Sequence, residues 1–232
     1  MAGQDALSGA ALLRLLRLAS PALPVGAYSY SQGLEWAIES GTVRDADSAR
    51  AWIADVLGFS LARFEAPLWW RLYRAWADGD AQRAAHWNEI YVASRETAEL
   101  RAETLQMGGS LQQLVLELAE FSPDALARLR DLEHASYVAV AAFCAAAGGI
   151  APRAALIAYL WSWAENQVLA AIKAVPLGQV GGQRMLLALS PEIERAAAVA
   201  EQLEDDQLSN FSPGLALASS LHETQYSRLF RS

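Results

Sequence analysis

One lysine stands among seventeen arginines in this 232-residue chain. That lysine, Lys173, is the residue whose type most invites a chemical question. It lies in WSWAENQVLAAIKAVPLGQ, residues 161–179, where Asn166, Ala170 and Lys173 fall on one helical face. Asn166 and Lys173 would stand about 10 Å apart along the axis at 1.5 Å per residue. An ammonium in the last turn before Pro176 suits the negative end of the helix dipole, which is a capping role. A compact point charge kept in a chain that otherwise uses guanidinium also fits a task that a guanidinium performs badly. Glu99 and Glu103 are one turn apart in RETAELRAE, residues 95–103, and Arg95 and Glu99 have the same spacing. Paired carboxylates can share acid–base work, but among arginines they read as a solvated face with charge pairing.

The remaining reactive side chains do not assemble into a motif. His86, His134 and His222 are scattered, Cys144 is alone, and there is no CxxC, HxxxH or HExxH, so no dedicated metal cage is expected. The lysine is followed by Ala174, which excludes a GxxxxGK[ST] phosphate loop, and no GxSxG elbow occurs. The expectation is a protein that is not an enzyme and carries no cofactor of its own.

Two further segments differ from ordinary helical filler. SPALPVGAYSYSQGLE, residues 20–35, has two prolines that restrict the backbone, Gly26 that can bend it sharply, and Tyr28 and Tyr30 in a serine-rich stretch. Tyrosine joins an apolar ring to a hydroxyl and is enriched where proteins touch, so a contact loop and a stiff core-packed connection are both consistent with it. SSLHETQYSRLFRS, residues 219–232, ends the chain. If helical, it would place His222, Tyr226, Leu229 and Phe230 on one stripe and Thr224, Ser227, Arg228 and Arg231 on another. A helix this short is marginal alone, so the tail is expected to order when a partner covers its apolar stripe; docking on its own domain is the alternative.

The elements that must position these residues are helical. Ala and Leu number 47 and 34, whereas Val, Ile and Thr together number 22. Helix formers are thus abundant and strand formers scarce, and the class is all-α. Cap and break signals divide the chain into about ten helices. They fall near 6–19, 32–39, from Asp45 or Asp47 to Phe64, from Pro67 to the Asp78-Gly79-Asp80 turn, and from Asp80 to Met107 with a break at Gly108-Gly109. Further helices start at Ser122-Pro123, near 134–147, 153–174 and 179–189, at Ser190-Pro191 reaching about 204, and near 213–221. No repeat and no Gly/Ser/Pro linker appears, which predicts one domain over 1–232. A net charge of −8 argues against nucleic acid. The longest uncharged stretch, 135–152, is broken by Gly148, Gly149 and Pro152, so no membrane span is expected. One cysteine and no visible signal peptide point to the cytoplasm.

LASPALPVGAYSYSQGLE, SRETAELRAE, AAIKAVPLGQ and HETQYSRLFRS, in this order and spacing, strongly resemble the UreF family of urease accessory proteins essentially end to end. The family often has a second glycine where Ala27 stands. The resemblance implies an all-helical adaptor that tends to dimerise. It implies binding to UreD (UreH in some organisms), recruitment of the GTPase UreG, docking of the assembly on apo-urease, and regulation of GTP-dependent nickel insertion. By motif, Tyr28, Tyr30, His222, Glu223, Tyr226, Arg228, Leu229, Phe230 and Arg231 would face UreD. Lys173, Glu165 and Asn166 would lie on the UreG and gatekeeping side. Arg95, Arg184 and Arg228 are imaginable donors of an arginine to the UreG site. The reading from another class is an all-helical small-molecule-binding protein or enzyme with an apolar pocket lined by Trp161 and Trp163.

Overall fold

The structure, a computed structural model, describes residues 7–232. Its helices are α1 (Gly9–Leu18), α2 (Leu34–Glu39), α3 (Ala46–Val56), α4 (Ala66–Ala77), α5 (Ala81–Ala93), α6 (Ala98–Leu118), α7 (Pro123–Arg130), α8 (Tyr137–Ala147), α9 (Pro152–Ala174), α10 (Gly178–Gln202) and α11 (Pro213–His222). A π-helical stretch, Leu57–Glu65, joins α3 to α4, and no strand occurs among the described residues. The all-α expectation holds.

Short polar side chains start most of these helices by accepting a backbone N–H that the first turn leaves without a partner. Ser8, Asp45, Asp80, Thr97, Ser122 and Ser136 each do so, Asp45 in a reciprocal box with Ser48. The core forms around α8, whose Val138, Ala139, Val140, Ala142, Phe143, Cys144 and Ala145 are all buried. Helices α4, α6 and α9 surround it, and α10 packs along α9 and the π stretch. Phe143 takes edge contacts from Trp76 at 5.3 Å and Phe121 at 5.5 Å, and the Trp76 indole N–H donates to the Ala139 carbonyl.

Three sequence-derived boundaries are corrected. The helix expected to run from Asp80 to Met107 ends at Ala93. It restarts after Thr97 and passes straight through Gly108-Gly109. Gly108 is there because α6 crosses the start of α8 at close range: a Cβ on it would lie 2.0 Å from the Ala135 carbonyl oxygen. Ser190-Pro191 caps nothing, since α10 is continuous across it and the Ser190 hydroxyl donates back to the Leu186 carbonyl. The first helix begins at Gly9, with Ala6 outside the described residues.

α4, with Pro67 at its second position, follows the π stretch without a break, so residues 46–77 form one helical rod. Proline supplies no N–H to the carbonyl four residues back. Here that carbonyl belongs to Arg63, and the Ser209 N–H fills it at 3.1 Å, while Ala66 N–H reaches five back to Leu61 in π fashion.

The two adjacent glycines of α6 make opposite predictions. Gly108→Ala should destabilise by at least about 2 kcal/mol because backbone must move. Gly109→Ala meets nothing within 4 Å and should stabilise by about 0.5–1 kcal/mol. Urea unfolding of the two variants checks both signs.

Candidate functional site

The tail, the tyrosine loop and the start of α6 meet in one place. Thr97 ends the loop before α6, and its hydroxyl bonds Ser219 on α11 at 2.8 Å. Glu223 then places its carboxylate at the N-terminus of α6, where it accepts from Ala98 N–H at 2.8 Å and Glu99 N–H at 3.3 Å. Negative charge is favoured at that end of a helix. The last helix therefore stops at His222, and the predicted helical stripe through Tyr226, Leu229 and Phe230 does not form. Residues 223–232 instead run as turns and extended chain along their own domain.

Body carboxylates hold this strap. Glu35 of α2 accepts from the backbone N–H of Leu229 at 2.6 Å and of Phe230 at 2.9 Å. Glu35 and Glu99 flank the wholly buried His222 ring, at 3.1 Å from Nε2 and 2.7 Å from Nδ1. Glu99 also pairs with Arg228 at 2.6 Å. Arg231 N–H donates to the Ser29 carbonyl, and the Ser232 carbonyl oxygen accepts from Ser31 N–H, Gln32 N–H and the Ser31 hydroxyl. Two positive-φ residues in succession, Gln32 at +52° and Gly33 at +77°, shape the turn that brings those donors together. For a side chain as large as glutamine this conformation costs about 1–3 kcal/mol and persists only where the surroundings impose it.

Behind the strap lies a chamber of about 90 Å³. Its wall carries buried charge. Glu65, at the end of the π stretch, accepts from the Tyr91 and Tyr159 hydroxyls, each at 2.7 Å. Burial foremost, with the Glu65 charge adding to it, raises both phenols well above their ordinary range, so they remain donors. The Arg95 guanidinium stands 3.6 Å from Glu65 and 4.4 Å above the Tyr91 ring. Glu103 accepts from Gln32 Nε2 at 2.7 Å and from Ser232 Oγ at 2.8 Å, and Gln32 Oε1 accepts from the Trp163 indole at 2.7 Å. Burial pushes the Glu103 carboxyl up to about 7, against the lowering effect of those two donors.

The residues singled out by sequence come together closely. Tyr30 is buried, its hydroxyl donating to Gln106 and its carbonyl accepting from Asn166. Lys173 Nζ lies 5.4 Å from the Phe230 ring and 6.0 Å from the Tyr28 ring, so it bridges the tail and the tyrosine loop by cation–π contact. Glu165 lines the chamber, and partial burial raises its carboxyl. The two groups of residues that sequence assigned to different partners thus form one patch. Its outer surface is Tyr28, Tyr226 and Leu229, all exposed, with Tyr226 wholly so. At Gly26 the loop turns at φ +77°, and Ala27 starts a short 3-10 turn without needing positive φ.

Three sequence readings change. Glu99 and Glu103 are not a solvated face: the strap covers them. Arg95 is buried against Glu65 and out of reach of any partner's active site, whereas Arg184 is exposed on α10 and Arg228 is half-engaged by Glu99. Trp163 lines the chamber but Trp161 does not, and the wall they were expected to make apolar carries four ionisable side chains, Glu65, Arg95, Glu103 and Glu165. The sequence reading missed Glu35, Glu65 and Gln32. The one available signal was the one-turn spacing of Glu99 and Glu103, which puts both on the face that meets the strap.

The terminal strap thus docks on its own all-helical domain beside two exposed tyrosines, Tyr28 and Tyr226. Residues 43–190 match the family model described as UreF. The chain is 58% identical over 223 residues to the urease accessory protein UreF of Azoarcus sp. (strain BH72), covering 95% of each chain. It is 54% identical to that of Janthinobacterium sp. (strain Marseille), over 96% of this chain and 98% of the other. Against that of Methylobacillus flagellatus the identity is 53%, over 95% and 97%. The chain belongs to the UreF family of urease accessory proteins.

Glu103 gives the site a pH signature. Its carboxyl is raised from 4.5 to about 7 in the folded protein, so the folded state holds a proton that the unfolded state has released. Stability therefore falls as pH rises from about 4.5 to about 7 and levels off above. Glu103→Gln should flatten that slope and stabilise the protein at pH 8 by on the order of 1–3 kcal/mol. Urea midpoints at pH 5, 6, 7 and 8 for both proteins test it.

Proposed function

We propose that this protein is a non-catalytic adaptor of urease maturation. It joins UreD (UreH) and the GTPase UreG on apo-urease and regulates GTP-dependent nickel loading of the urease active site. It works in the cytoplasm as a homodimer. The observation that carries the reading is the near full-length identity to proteins named urease accessory protein UreF. What supports an adaptor in particular is the patch of Tyr28, Tyr226 and Leu229, apolar and ring-bearing side chains held exposed on the tyrosine loop and the strap beside it. Aromatic anchors of this kind dominate many protein interfaces. The UreD side of the proposal comprises Tyr28, Tyr30 and the strap residues His222, Glu223, Tyr226, Arg228, Leu229, Phe230 and Arg231. The gatekeeping side toward UreG comprises Lys173, Glu165 and Asn166. Among the described residues no helix is long and apolar enough to cross a membrane.

The test is best made with exposed side chains, because ending the chain at Leu221 would also remove the buried His222, Phe230 and Ser232. Tyr226→Ala combined with Leu229→Ala should leave melting behaviour unchanged and weaken the complex with UreD at least roughly tenfold, as expected when interface anchors are lost. Light scattering and titration calorimetry with UreD read the loss, and GTP turnover by UreG in the presence of both proteins reads its consequence. Unchanged affinity for UreD in the double variant would remove this surface from the proposal.

A further inference from the structure

The chamber carries polar groups that its own side chains leave incomplete. Arg95 lines it and is only 7% exposed, yet its Nε and Nη2 have no hydrogen-bond partner. Its Nη1 stands 3.6 Å from Glu65, within ion-pair range but too far for a hydrogen bond. One face of the guanidinium lies over the Tyr91 ring, so its edge is the part left to bond. Buried donors without partners are rare, because each forfeits the bonds it had to water. Tyr137, at the start of α8, also lines the chamber, and among the described residues its hydroxyl makes no hydrogen bond. Burial foremost raises this phenol far above its ordinary range, so it stays a donor.

Open acceptors come from α9. The Glu165 carboxyl and Asn166 Oδ1 belong to residues that line the chamber, and neither is engaged by another described side chain. Leu23, Val25, Leu100 and Met107 supply apolar wall. Charge then selects among occupants. Glu65 and Arg95 offset one another, and Glu103 keeps its proton up to about 7. A bound anion would therefore leave a buried net negative charge, and a bound cation would face an open guanidinium. Both are costly away from water. Size narrows the choice further. The chamber measures about 90 Å³, and since an apolar cavity of about 150 Å³ takes one benzene, there is room for about four non-hydrogen atoms.

We propose that the chamber is a binding site for a small uncharged amide, whose carbonyl oxygen accepts from Arg95 and Tyr137 and whose N–H groups donate to Glu165 and Asn166. A carbonyl oxygen has two lone pairs, so it takes a guanidinium N–H and a phenol together. The rim includes the exposed Pro21 and Tyr28, so the ligand enters beside the tyrosine loop with the strap in place. The site stands on the interior of this chain and is independent of the adaptor role.

Acetamide, acetate and acetamidinium share one shape and differ in charge, and they are the probes, used at pH 6 on the full chain. Carbon-13 methyl labelling of methionine reads occupancy at Met107, which lines the chamber, with Met185, buried on α10 outside it, as the internal reference. Acetamide should shift the Met107 signal saturably with a Kd of about 1 mM, within reach of about four non-hydrogen atoms, and leave Met185 unmoved. Acetate and acetamidinium should bind at least roughly tenfold more weakly, because each brings an uncompensated charge. Tyr137→Phe deletes a hydroxyl that bonds nothing in the protein, so it should fold like the parent and weaken acetamide about fivefold. Arg95→Lys keeps the charge beside Glu65 but loses the planar edge, and should weaken acetamide at least roughly tenfold. The charge series and Tyr137→Phe carry the test even if Arg95→Lys does not fold. A Met107 signal that does not saturate with acetamide up to about 50 mM would mean that the chamber holds water only, and would overturn the site. Acetate binding as tightly as acetamide would overturn the uncharged ligand, and undiminished binding by Tyr137→Phe would overturn the placement of its carbonyl.

Discussion

A carboxylate withdrawn from water must be met by donors or give up its charge, and four glutamates of this protein are placed under that constraint. Glu65 is met by two tyrosine hydroxyls and faces Arg95; Glu35 and Glu99 share His222, with strap amides and Arg228 completing them. Glu103 receives only two neutral donors and keeps its proton up to about neutrality. Every one of these donors comes from a segment remote in sequence. Satisfying the four glutamates therefore fixes how the tyrosine loop, α2, α6, α9 and the final strap are arranged around one chamber.

The helical frame serves that arrangement by letting elements approach closely where they must. Gly108 brings α6 against the start of α8, which sets the height at which Glu99 and Glu103 face the strap. The π stretch does comparable work on the opposite wall. By adding a residue to the turn before Pro67, it rotates Glu65 inward, and the carbonyl left open by the proline is closed by Ser209 from the loop beyond α10. Local irregularity in a helix is frequently found at functional sites, and here it positions a buried carboxylate that accepts from two tyrosine hydroxyls and faces Arg95.

The patch beside the strap is held together by a single cation. Lys173 faces both Tyr28 and Phe230, so the strap, the tyrosine loop and the end of α9 meet at one cation. Surfaces that looked separate along the chain are coupled by contacts a few ångströms long.

The sequence by itself determined the helical class, most helix starts and the family. Ala and Leu content, Ser, Asp and Thr caps and four ordered motifs are local signals, and local signals survive in one dimension. It also pointed to Lys173, Tyr28, Tyr30 and the tail as the unusual residues. Only the tertiary structure decided that the tail is an extended strap and not a helix, because Glu223 prefers the N-terminus of α6 to another helical turn. Only there did Glu99 and Glu103 become buried anchors, since the residues that cover them lie more than a hundred positions away. Gly108 and Ser190-Pro191 misled for the same reason. A glycine or a proline signals a break by its own preferences, and a crossing helix or a continuous helical neighbour can override that preference at a distance no local pattern records.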